Sequence, residues 1–160
     1  MQIDTQALRH ALGRFSTGVT IITCRDAEGH AFGLTANSFN SLSLDPPLVL
    51  WALRCASPSR PVFEQAAHFA VNVLAADQME LSRRFASPHV DRFAEGQWSD
   101  GQGGAPVLEG AVARFECALH SAQVQGDHVL FIGQVLAVQC NDQAPLLFQA
   151  GHYHALGAKL

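Results

Sequence analysis

Three short segments carry residue types that could do chemistry. Gly33-Leu-Thr-Ala-Asn-Ser38 joins a strand to an extended polar loop. Its small residues would let backbone N–H and C=O groups approach a flat polar ring edge. Thr35, Asn37, Ser38 and Ser41 add short donors and acceptors, which such an edge needs once it is desolvated. An ordinary Ser/Asn turn has the same composition. Ser57-Pro-Ser-Arg60 offers two hydroxyls, a guanidinium and a helix start, a set suited to a phosphate. Ser59 could equally be a simple helix cap. Gly126-Asp-His128 places a turn before a strand. There the His128 ring could face a cleft, or be satisfied at the strand end. Arg83 and Arg84 offer either a second anion contact or a solvated helix face.

Other chemistries are not signalled. No G-x-G-x-x-G follows a strand, so a Rossmann dinucleotide site is unsupported. Gly101-Gln-Gly-Gly104 lacks the surroundings of a phosphate loop. No G-x-S-x-G elbow marks a hydrolase. His152-x-His154 has no acidic or Cys partner at metal-ligand spacing, so no metal is expected. The single lysine, Lys159, sits at the tail, away from any Schiff-base role.

Composition narrows the class. The chain has 160 residues, 48% hydrophobic and 15% charged, which excludes disorder and suits one domain. The net charge of −4, without a basic stripe, argues against nucleic-acid binding. No apolar run reaches the ~18 residues of a membrane helix. The first residues lack a secretory pattern. Cys24, Cys55, Cys117 and Cys140 form no C-x-x-C pair and read as free thiols of a cytoplasmic protein. Mean hydropathy slightly above zero hints at apolar surface buried against a subunit or ligand.

Periodicity supplies the elements that must position these residues. Asp4 or Thr5 caps a first helix through Leu8, Leu12 and Phe15, ended by Thr17-Gly18. Val19–Cys24 and His30–Thr35 read as a strand pair, and Asn37–Asp45 as a loop before Pro46-Pro47. Leu48–Leu53 reads as a strand buried on both faces. Ser59 starts a short helix with Pro61 in its first turn. Phe69–Leu74 is a buried strand. Asp77-Gln-Met-Glu80 resembles a capping box opening a helix through Leu81 and Phe85. Residues 86–106 read as a long loop, functional or partly mobile. Strands follow at Ala111–Ala122, Val129–Gln139 and Pro145–Phe148. The class is mainly β with a few helices, a mostly antiparallel barrel or sandwich.

Six segments occur here in one order: Arg14-Phe-Ser-Thr-Gly-Val-Thr-Ile-Ile-Thr23, Gly33–Ser43, Pro46–Val49, Phe69–Val73, Gly126-Asp-His128 with Gly133, and Pro145–Tyr153. Together they resemble the flavin reductase-like family of FMN-binding split barrels, which includes reductase components of two-component flavin monooxygenases. The resemblance spans about Leu8 to Leu156. It implies an antiparallel, Greek-key split β-barrel and a homodimer with flavin near the subunit interface. It also implies NAD(P)H oxidation without a Rossmann domain. Thr35, Ala36, Asn37, Ser38 and Ser41 would line the flavin ring and ribityl chain. Ser57, Ser59 and Arg60 would hold its phosphate. His128 would face the nicotinamide, and Phe15, Ser16 and Thr17 would border the same cleft.

The implied reaction is hydride transfer from NADH or NADPH to FMN or FAD, with no protein acid or base required. The absence of an evident Arg cluster for a 2′-phosphate favours NADH. Reduced flavin would then pass to a separate monooxygenase. Two alternatives stay open: a flavoprotein that keeps FMN and reduces another acceptor, and a non-catalytic flavin-binding protein.

Overall fold

The computed structural model describes residues 3–160. In chain order its elements are α1 (Thr5–Gly13), β1 (Thr17–Gly18), β2 (Thr20–Arg25), β3 (Ala31–Ala36), β4 (Asn40–Leu44), β5 (Pro47–Arg54), α2 (Arg60–Gln65), β6 (His68–Val73), α3 (Met79–Ala86), β7 (Trp98–Asp100), β8 (Pro106–Leu108), β9 (Ala113–Gln125), β10 (His128–Cys140), β11 (Leu146–Gln149) and β12 (His152–Ala155). Seven strands form one antiparallel sheet in the order β3-β2-β6-β9-β10-β5-β4. A small sheet, β1-β11-β12, and the pair β7-β8 lie beside it.

The large sheet curls so that residues from β2, β3, β5, β6, β9 and β10 meet in one core. Trp51 lies at its centre, stacked on Phe131 at 4.5 Å and met edge-on by Phe63 at 5.1 Å. One side chain ties the end of β3 to β5 across the curl. Just after β3, Ser38 Oγ accepts from the Ala52 N–H at 2.9 Å and donates to the Ala52 carbonyl at 3.0 Å. The class, mainly β with a few helices, is the one the sequence led us to expect.

β2 is buried on both faces because it serves two cores. Ile22 and Cys24 point into the barrel. Val19, just before the strand, and Ile21 point to a second core under α3, with Leu81, Phe85 and Leu146. The period of two along a strand makes this division. Buried Asn72 links the layers: its amide donates to the Ile21 carbonyl at 3.1 Å and accepts from the Leu108 N–H at 2.8 Å. Burial pushes the Cys24 and Cys117 thiols up to about 12, and all four cysteines are free. Among the described residues, no helix is long and apolar enough to cross a membrane.

Several local expectations are corrected. The loop expected over 37–45 contains β4, which pairs with β5. Leu48–Leu53 is not buried on both faces: Val49, Trp51 and Leu53 face the core, and Leu48, Leu50 and Ala52 are half-buried. Residues 86–106 are fastened rather than loose. They hold two 3-10 turns and β7, which pairs with β8. The first helix ends at Gly13, and Thr17-Gly18 instead forms β1 against β11. Asp4 is its cap, accepting from the Gln6 and Ala7 N–H groups. Ser59 occupies the α2 cap position without a side-chain bond. The capping glutamine is Gln78, whose Oε1 accepts from the Ala75 N–H at 2.9 Å, one 3-10 turn before α3.

Gly133 gives a direct test of core packing. A Cβ there would lie 2.4 Å from Phe69 Cζ and 2.9 Å from Cys117 Cβ. Gly133→Ala is expected to cost roughly 1–3 kcal/mol in urea unfolding, the usual penalty of overpacking. Unchanged stability would contradict this packing.

Candidate functional site

β3 is an edge strand, with β2 on one side and, among the described residues, no strand on the other. Alternate backbone groups along its outer edge therefore lack ladder partners. Two cavities open beside this strand. A small one, about 200 Å³, is lined by Val19, Thr35, Ala36, Asn37, Phe148 and Tyr153, with Ser82 and Ala86 of α3. A wider one, about 500 Å³, includes Gly33, Pro58, Ser59, His89, Asp91, Arg92 and Phe93 in its wall, with Asp91 its one carboxylate. From Gly33 to Ala36 the strand runs about 10 Å. One elongated molecule laid along β3 could reach both cavities.

The small cavity has a fixed polar wall. Thr35 Oγ1 donates to the Ser82 carbonyl at 2.6 Å. The Ser82 and Tyr153 hydroxyls share a hydrogen bond of 2.9 Å. Tyr153 packs edge-on against Phe148 at 5.4 Å, and the Arg83 guanidinium lies 5.6 Å from the Tyr153 ring centre. Thus α3, β3, β11 and β12 all hold one cavity. Gly33 matters for the same packing: a Cβ there would lie 2.7 Å from Phe85.

Arg92 is the charged feature of the wider cavity. Its Nη1 donates to the Gly33 carbonyl at 2.7 Å, and its Nη2 to the Ser87 carbonyl at 3.1 Å. No carboxylate pairs with it among the described residues. Burial draws its pKa below the usual guanidinium value. A half-buried cation held only by carbonyls favours an anion nearby.

The residues singled out in the sequence are distributed unevenly. Thr35, Ala36 and Asn37 line the small cavity, and Ser59 the wider one. The Ser38 hydroxyl is engaged by Ala52, and Ser41 lies on β4, outside both. Ser57 Oγ accepts from the Ser59 N–H at 3.3 Å. Arg60 is held by Glu64 at 2.9 Å. Thr17 pairs in register with Phe148, and its buried Oγ1 has no partner. Phe15 and Ser16 are exposed. His128 opens β10 opposite Arg54, with its Nδ1 2.7 Å from the Asp127 carboxylate. That hydrogen bond holds the Asp127 carboxyl below its ordinary pKa. The Asp127 carbonyl also accepts from the Cys55 N–H at 2.8 Å, which brings His128 toward the Ser57–Ser59 segment.

Sequence reasoning missed Ser82, Phe148, Tyr153 and Arg92. The one available signal was Tyr153, the only tyrosine in the chain. A larger cavity of about 730 Å³ lies beyond α3. Its rim carries four carboxylates, Asp77, Glu80, Glu95 and Glu109, against the two arginines Arg83 and Arg84, of which Arg83 is paired with Glu80 and Arg84 with the Asp91 carbonyl; Thr35, Ser59, Arg92 and Tyr153 lie outside it.

The donor set suits a flavin nucleotide. An edge strand offers backbone donors and acceptors to a ring edge, Thr17 Oγ1 is an orphaned buried oxygen, and Arg92 is available to a phosphate. Comparison with known proteins points the same way. Residues 12–157 match the family described as flavin reductase like domain. The chain is 44% identical over 150 residues to an NADH-dependent FMN reductase of Agrobacterium fabrum, covering 94% of this chain and 85% of that protein. It is 43% identical over 150 residues to a probable flavin reductase of Rhizobium meliloti; this covers 94% of the chain but spans only 48% of that longer protein. The solved styrene monooxygenase flavin reductase of Pseudomonas putida superposes with a TM-score of 0.86 at 36% identity, covering 95% of this chain and 98% of that one.

Tyr153→Phe removes the hydroxyl pair across the small cavity and leaves Ser82 unsatisfied there. The expected loss is about 1 kcal/mol in urea unfolding. A variant as stable as the parent would show that this wall does not depend on the bond.

Proposed function

We propose, since this chain belongs to the flavin reductase like domain family, that it is an NAD(P)H:flavin oxidoreductase supplying reduced FMN or FAD to a partner monooxygenase. The observation that carries this reading is the free edge of β3 between a ring-sized cavity and one holding an unpaired arginine. The name of the Pseudomonas relative, a monooxygenase flavin reductase, supports the partner.

When bound, flavin supplies the hydride-accepting ring and the nicotinamide supplies the hydride. The residues of this chain bind, orient and exclude water. Backbone groups at Thr35, Ala36 and Asn37 address the polar ring edge. Phe148 and Tyr153 wall it off from water. Ser57, Ser59 and Arg92 receive the phosphate. Arg92 is an addition to the expected set; Arg60, committed to Glu64, takes a lesser part. Ser38 holds the strand end in place through Ala52. Ser41 lies on β4, and any role it has belongs to that end of the barrel. His128 hydrogen-bonds the nicotinamide carboxamide or a nearby phosphate, its ring steadied by Asp127. No side chain needs to move a proton during hydride transfer.

The protein works as a homodimer. Helix α1 buries none of its residues, and Leu8, Leu12 and Phe15 are 46%, 63% and 73% exposed. A second copy covering this face also brings Phe15, Ser16 and Thr17 to an interface beside the flavin. Free cysteines fit a reducing cytoplasm.

Steady NADH consumption, followed by nicotinamide absorbance with FMN, FAD or riboflavin supplied in turn, tests the activity. No consumption with any of the three would refute it. His128→Ala is expected to raise KM for NADH roughly fivefold to tenfold, the value of one hydrogen bond, with kcat little changed. A collapsed kcat at constant KM would contradict the binding role. Light scattering should give twice the chain mass, falling to the monomer in Leu12→Asp; a monomeric parent would reject the dimer.

A further inference from the structure

α1 has a second face. Gln6, Arg9, His10, Gly13 and Arg14 line a groove of about 440 Å³ against the turn at Ala150-Gly151. The helix end is fastened to the turn by its backbone: the Gly13 carbonyl accepts from the Ala150 N–H at 2.9 Å. The helix therefore lies on the turn with its cationic side facing the groove, and its apolar side remains available to a second copy.

The charges here are unpaired. Arg25, Arg60, Arg83 and Arg114 each have a carboxylate within 4 Å, and Arg84 and Arg92 are held by backbone carbonyls, but among the described residues Arg9 and Arg14, like Arg54, have neither a carboxylate nor any hydrogen bond from their guanidiniums. The helix dipole favours cations at this C-terminal end. It does not explain two guanidiniums and an imidazole converging on a concave surface in a chain of net charge −4. Such a groove selects an anion with several oxygens.

Position identifies which anion. Ala150, in the turn after β11, lies two residues beyond Phe148, which walls the ring cavity, so at most about 7 Å of backbone separates these two lining residues. Arg14 directly precedes Phe15, Ser16 and Thr17, assigned above to the nicotinamide cleft. A ribose bridges a comparable gap between a nicotinamide ring and its nearest phosphate. We infer that the groove formed by Arg9, His10, Arg14 and the 150–151 turn binds a phosphate group of the pyridine nucleotide. Two phosphates share this chemistry: the bridging diphosphate of either nucleotide, and the 2′-phosphate of NADPH.

The inference rests on the reductase reading, and the experiment separates them. Steady-state kinetics with saturating FMN compare the parent with the Arg9→Gln/Arg14→Gln variant. Both arginines are exposed, so matching melting curves are expected. KM for the nucleotide should rise about tenfold in the variant, as befits loss of charge-assisted bonds, with kcat retained. Phosphate-free reduced nicotinamide riboside should be oxidised equally by both. An equal rise for NADH and NADPH places the diphosphate in the groove; a rise for NADPH alone places the 2′-phosphate there. Unchanged KM for both nucleotides in an active enzyme overturns the inference. So does a weaker FMN affinity by fluorescence titration, which would assign the groove to the flavin phosphate. An inactive parent overturns the reductase reading itself.

Discussion

β3 has a strand on only one side, and the backbone groups on its other side must find partners elsewhere. Much of the site consists of those partners. Arg92 takes the Gly33 carbonyl, Ser82 anchors Thr35 from α3, and Ser38 joins the strand end to β5. What remains open is a short run of backbone around Thr35–Asn37, bounded by aromatic rings. A continuous barrel would have consumed those groups in a ladder. The split in the sheet leaves room for a polar ring.

The strand can stay open because its neighbour is so firmly held. β2 is buried on both faces, contributing to the Trp51 core on one side and the α3 core on the other. Asn72 and Thr23 extend that grip to β8, with Thr23 Oγ1 donating to the Pro106 carbonyl at 2.5 Å. Edge strands invite unwanted pairing. Here α3 and the 87–94 segment cover the edge in part.

Legibility from sequence followed the range of the interactions. Val19–Cys24 was readable because β-branched residues repeat in a run, and Thr35–Asn37 because small polar residues cluster at a strand end. β4 was not, since Asn40-Ser-Leu-Ser-Leu44 has turn composition and becomes a strand only through pairing with β5. β7 and β8 are three residues each, too short for periodicity to show. The missed site residues meet across the chain: Ser82 and Tyr153 are 71 positions apart, and Arg92 and Gly33 are 59 apart. No local pattern encodes such contacts. α1 shows the opposite case. Its amphipathic spacing was plain, but its apolar face is not buried by any of the described residues.

The central claim is that flavin docks along the open edge of β3. Hydrogen–deuterium exchange with and without FMN tests it most directly. Slowed exchange is expected at amides of 33–38 and 87–93, with little change in the groove beyond α3 lined by Asp77, Glu95 and Glu109. Protection confined to that groove, or none at saturating FMN, would contradict it.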